Sequence, residues 1–172
     1  MLHYPMTCML SDRVPFLHLH SEEFLFEARL GMRIVDDHGF YFANVMDGLS
    51  DREAIIASIS TVFRMPDLPS TNWFELKVGL RDLDWLPYRG YALLLEKAED
   101  LLALPEEDWK EFFAILKEST EYWNNLDCPF HISLIGSERL ERKIKATTGM
   151  ELHMHDRVIH GCSIPDATVI EP

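Results

Sequence analysis

The sequence predicts an α/β fold whose central sheet is mainly parallel and flanked by helices, and three observations carry that expectation. Residues 91–95 (YALLL) and 130–135 (FHISLI) are short apolar, β-rich runs, as expected of strands covered on both faces. Between and around them lie stretches whose apolar residues recur at helical spacing. Proline, glycine and capping residues punctuate the alternation at the helix ends. Short strands alternating with amphipathic helices stack in layers, because each helix must bury its apolar stripe against the sheet.

Residues 1–21 show no regular period and read as irregular. Residues 22–35 (EEFLFEARLGMRIV) carry apolar and β-favouring side chains, Asp36, Asp37, His38 and Gly39 form a turn signal, and GFYFANVM follows. Together residues 22–46 predict an N-terminal β-hairpin. Ser50, Asp51, Arg52 and Glu53 make a capping box, with Ser50 as N-cap, for a helix bearing Ile55, Ile56, Ile59, Val62 and Phe63 on one face. Pro66 and Pro69 stop it. Asn72 can cap the next helix, which runs to about Leu83 with Trp73, Leu76, Leu80 and Leu83 directed to the core.

Pro105 suits the first turn of a longer helix, and Glu106, Glu107 and Asp108 complement its positive end. Its wide stripe of Trp109, Phe112, Phe113, Leu116 and Trp123 reads as core. After the 130–135 strand, Ser137 opens a short helix to about Gly149. The tail, ELHMHDRVIHGCSI, predicts a final strand.

At 172 residues, without repeats or a Gly/Ser linker, residues 1–172 read as one domain. The 47% hydrophobic and 26% charged composition is that of an ordinary globule. No window approaches eighteen consecutive apolar residues, and the N-terminus lacks a basic region followed by an apolar run, so neither a membrane span nor a secretory leader is expected. Three dispersed cysteines (Cys8, Cys128, Cys162) suit reduced thiols and a cytoplasmic location. The formal net charge of −13 disfavours nucleic acid and anionic membrane as partners. It suits a basic protein partner, or simply solubility.

Residues 63–95 read FRMPDLPSTNWFELKVGLRDLDWLPYRGYALLL. Pro66, Asn72, Trp73, Leu76, Leu80, Asp82, Leu83, Trp85 and the strand at Leu93–Leu95 resemble the signature stretch of the barstar family. The helix and strand that follow continue the family's order, so the likeness covers about residues 50–136. The resemblance implies a three-layer barstar-like fold, with the N-terminal hairpin (22–46) and a C-terminal strand (within 150–172) as extensions. It also implies a non-enzymatic protein inhibitor: an immunity protein that blocks a cognate toxin, a basic ribonuclease or other nuclease, without a cofactor. In such proteins carboxylates on the motif helix stand in for the phosphates of the nuclease's substrate.

Where the family usually carries Asp directly after Asn-Trp and again four residues later, this sequence has Phe74 and Val78. The small Gly and the aromatic of the preceding loop are replaced too, the nearest residues being Ser70 and Leu68. With Trp73, Leu76, Leu80 and Leu83 turned inward, helix geometry directs Phe74, Glu75, Val78 and Asp82 outward. Two apolar groups rimmed by carboxylates form either an interface with an apolar centre or a patch covered by the chain's own ends. The partner-binding residues expected from this are Asp67, Phe74, Glu75, Val78, Asp82 and Asp84. Residues 82–111, with nine acidic and three basic residues, form either a solvated surface or a steering field for a basic partner.

Histidines supply the alternative. His18 and His20, His153 and His155, with His160, place pairs two apart that share one face of a strand, and two such pairs brought together make a small metal-binding protein or metal-dependent enzyme. No G-x-S-x-G elbow, phosphate-binding glycine loop or H-E-x-x-H is present. A barstar-type domain that serves as a scaffold without inhibiting is a third reading.

Overall fold

The computed structural model describes residues 17–26, 28–29, 39–66, 71–150 and 152–154. Five parallel strands form one sheet: β1 (Leu17–His20), β2 (Phe40–Val45), β3 (Gly90–Leu95), β4 (Phe130–Ile135) and β5 (His153–Met154), in the spatial order β2-β3-β4-β1-β5. Four helices connect them: α1 (Arg52–Val62) and α2 (Trp73–Arg81) between β2 and β3, α3 (Glu106–Asn124) after β3, and α4 (Glu138–Thr148) after β4.

The expected parallel α/β arrangement is present, and the buried runs are its centre. Every residue of β3 and β4 is buried, and Tyr91, Leu93 and Leu95 stand beside Phe130, Ile132 and Leu134 on the face that meets the helices. Ile55, Ile56, Ile59, Leu76, Leu80, Trp109, Phe112, Phe113, Leu116, Leu140 and Ile144 complete that cluster, so all four helices lie on one face. The opposite face holds a smaller cluster of Phe40, Ala92, Leu94 and Ile135 beneath Ala28 and Leu25. This gives the third layer.

Two local expectations fail. The described residues of 22–46 do not show the expected hairpin: Glu22–Phe24 is a 3-10 turn, residues 25–26 and 28–29 are helical, and β2 pairs in parallel with β3, from Phe40 opposite Gly90 to Val45 opposite Leu95. The turn signal at 36–38 lies outside the described residues. The apolar side chains that suggested a first strand instead serve a short helical segment, with Leu25 and Ala28 laid on the sheet. Residues 17–20 are likewise not irregular. They are the buried strand β1, inserted between β4 and β5. The tail contributes a strand as expected, here the two residues His153 and Met154 beside β1.

Helix ends follow their capping chemistry. Asp51, one residue after the expected Ser50, caps α1 by accepting from the Ala54 amide at 2.9 Å. Asn72 caps α2, accepting from the Phe74 amide at 2.9 Å, and Ser137 caps α4. Gly149 closes α4 at φ 63°, a left-handed conformation that favours glycine.

Candidate functional site

Helix α2 is held from beneath at several points. Trp73, Leu76 and Leu80 are buried, each contributing on the order of 1.5–3 kcal/mol by leaving water. The Trp73 indole packs against Phe112, tilted by 32° with ring centres 5.7 Å apart, and donates its N–H to Asp108 Oδ1 at 2.8 Å, joining the first turns of α2 and α3. At the other end, the Trp123 indole donates to the Leu80 carbonyl at 2.7 Å. Lys77 and Arg81 both reach Glu118 of α3, at 2.6 and 2.7 Å. On the remaining flank Gly79 lies against Met65; a Cβ there would come within 2.6 Å of the Met65 sulfur. Trp85, just past α2, donates to the Phe63 carbonyl at 2.9 Å and ties that turn to the end of α1.

A helix fixed on three sides presents its fourth. Phe74 is 66% exposed and Val78 46% exposed, and as residues four apart they form one stripe. Glu75, Asp82 and Asp84 are exposed beside them. The geometry therefore brings together Phe74, Glu75, Val78 and Asp82 on the outer side of α2, with Asp84 in the turn that follows. Asp67, Leu68 and Ser70 lie outside the described residues. Among the described residues this face holds an apolar centre with carboxylates at its edge.

The acidic run from 82 to 111 divides. Asp108 is engaged by Trp73 and lies 3.7 Å from Arg52. Glu99 accepts from the Ser137 amide at the start of α4. Glu96 accepts two hydrogen bonds from Arg29, at 2.8 and 2.6 Å, and one from Asn44 at 2.7 Å. The Arg29 guanidinium, with help from Asn44, holds the Glu96 carboxyl below its ordinary range despite its partial burial. Asp100, Glu107 and Glu111 remain exposed. The run, expected as either a solvated surface or a steering field, is therefore in part internal scaffolding through Asp108, Glu99 and Glu96.

The histidine hypothesis has a different geometry from the one expected. His18 and His20 share the second face of the sheet, fully buried, and His18 Nε2 lies 3.2 Å from Nδ1 of His131 on β4. His153 stands in register with His18, while His155 and His160 lie outside the described residues. Among the described residues, no group of three His, Cys, Asp or Glu side chains is placed to hold a metal ion. His131 escaped sequence reading because 113 residues separate it from His18 and nothing local marks the pairing. Cys128 is a free, half-buried thiol whose burial pushes its pKa up, which opposes the thiolate a nucleophile needs.

The fold is thus a parallel α/β layer whose helix α2 presents an apolar stripe with acidic edges. Residues 41–135 match the family described as barstar (barnase inhibitor), and the chain belongs to that family. The family is one of inhibitors. No curated protein matches the chain as a relative. Among solved structures, a Walker-type ATPase of Pyrococcus abyssi is similar in fold, with a TM-score of 0.54 and 15% identity over 87% of this chain. That match takes in 51% of the ATPase chain, so this protein spans about half its length. No helix of the described residues is long and apolar enough to cross a membrane.

Proposed function

We propose that the chain is a barstar-type immunity protein that binds and blocks a cognate toxin, a basic nuclease. Membership of a family of barnase inhibitors supports this, and one observation carries it: Phe74 and Val78 are exposed on a helix whose other sides are anchored. The binding face is Phe74 and Val78 with Glu75, Asp82 and Asp84, and Asp67 precedes it in the chain. An apolar centre supplies affinity by desolvation, while carboxylates at the edge and the net charge of −13 steer a basic partner. Inhibition follows from occupying the mouth of the nuclease site, and it takes place in the cytoplasm. No nucleic acid or membrane takes part.

The test is inhibition of a panel of purified basic nucleases, with a toxin encoded beside this chain's gene placed first. Charge reversal at Glu75 and Asp82, alone and with Phe74→Ala, is expected to weaken inhibition at least tenfold. Unchanged inhibition by the triple variant would remove this face from the function.

A further inference from the structure

His18 and His20 project from β1 onto the second face of the sheet, where His131 of β4 meets them, and all three are fully buried. His18 Nε2 lies 3.2 Å from His131 Nδ1, with ring centres 5.4 Å apart. The His20 ring stacks with that of His18 at 6.5 Å, and His153 of β5 stands in register with His18. The other face of the same strands is apolar, with Leu17 and Leu19 beside Ile132 and Leu134, and all four helices pack there. Among the described residues, the adjoining elements on the histidine side and at the strand ends bring four carboxylates and one guanidinium. Glu22 and Glu23 are exposed just beyond β1, Glu96 is bonded to Arg29 of the covering segment, and Glu99 accepts from the Ser137 amide after β4.

Two ring nitrogens at this separation hold one proton between them, whichever tautomer is present, because a second would place two N–H groups head to head. The folded pair therefore binds at least one proton fewer than two separate imidazolium rings do. In the unfolded chain both rings charge below the ordinary histidine pKa of about 6.5. Stability carried by the pair is thus complete above that value and falls as pH falls beneath it, by about tenfold in the equilibrium per pH unit for each missing proton. The smallest opening that separates the rings is detachment of β1, four residues paired with β4 on one side and with β5 on the other. β1 and β5 both lie outside residues 41–135, which carry the family match. We propose that His18 and His131 form a proton-sensitive latch: mild acid releases β1, and β5 with it, from β4, and opens the second sheet face while β2, β3 and β4 stay paired. Glu96 acts over a lower pH range, so the two effects are separable.

Amide hydrogen exchange of the full chain, followed from about pH 8 to about pH 5 and corrected for the intrinsic pH dependence of exchange, tests this. Protection of the β1 amides should fall about tenfold per pH unit below about 6.5, while that of the β3 amides holds. His18→Leu with His131→Leu removes both titrating rings and fills their space with apolar groups, so the fall at β1 should disappear. An equal fall in wild type and double variant overturns the latch. A loss of protection shared equally by β1 and β3 overturns local release, because the whole domain then opens at once. Should the double variant fail to fold, nitrogen NMR of the wild-type imidazoles decides. One shared proton between His18 and His131 throughout the folded range upholds the proposal, and two fully protonated rings in the folded protein overturn it.

Discussion

The indole N–H of Trp73 donates to the carboxylate of Asp108 at 2.8 Å, and through this bond α2 is aligned with α3, the longest helix among the described residues. The indole is almost wholly buried, so no water replaces a lost acceptor easily. Asp108→Ala is expected to lower stability by about 1–3 kcal/mol, seen as a lower urea midpoint at an unchanged slope. Part of this is an interaction between the two residues. In an Asp108→Ala background, Trp73→Phe should therefore cost less than it does in the wild type, with a coupling of about 0.5 kcal/mol or more. Additive losses would mean that the bond contributes nothing.

Phe74 and Val78 stand where the family usually carries aspartates, and their exposure makes them replaceable without disturbing the core. Phe74→Asp with Val78→Asp should change stability by no more than about 0.5–1 kcal/mol, the cost coming from like charges four residues apart, including Asp82. Barnase inhibition by the double variant should rise at least tenfold over the wild type, because carboxylates at those positions meet a basic phosphate site. Equal inhibition by both proteins would show that the divergence at these positions does not decide which nuclease is recognised.

Much of this arrangement is legible from local patterns. The helices reveal themselves by spacing and caps, and 91–95 and 130–135 by apolar runs of strand length. The outward direction of Phe74 and Val78 follows from the inward direction of Trp73, Leu76 and Leu80 alone. What local pattern cannot supply is pairing. β1 is only LHLH, and its two histidines look polar until the strand is placed between β4 and β5, where all four residues are buried. The turn signal after residue 35 suggested a hairpin, yet β2 joins β3 across two helices.

Tyr91 links the sheet to alkaline stability. Its hydroxyl donates to the Leu86 carbonyl at 2.9 Å, and burial, reinforced by Cys128 and Asp84, raises its pKa to about 12. The folded protein therefore holds this proton more tightly than the unfolded chain does. The associated stability is complete below the ordinary tyrosine pKa of about 10 and is lost as pH rises through about 12. The wild type should lose stability between pH 10 and 12 more steeply than Tyr91→Phe, which has no proton to release there, when urea midpoints are followed against pH. Superimposable slopes for the two proteins would remove Tyr91 as the cause.

Glu96 sets the acid limb. Its carboxylate accepts from Arg29 and Asn44 and so ties the short segment over the second sheet face to the ends of β2 and β3. Arg29 first, and Asn44 after it, depress the carboxyl's pKa against the opposing effect of burial. A group with a depressed folded pKa stabilises fully above its unfolded value, about 4.3, and the contribution disappears as pH falls through the folded value. Half-exposure of Arg29 leaves the pair open to screening, so the effect should shrink in molar salt. In low salt, Glu96→Gln should be less stable than the wild type at pH 7, and its urea midpoint should fall less between pH 5 and pH 3. Arg29→Gln should flatten the same limb while leaving the Asn44 bond in place. If both variants track the wild-type curve over that range, acid lability originates elsewhere, and the pairing of Glu96 makes no difference to folding.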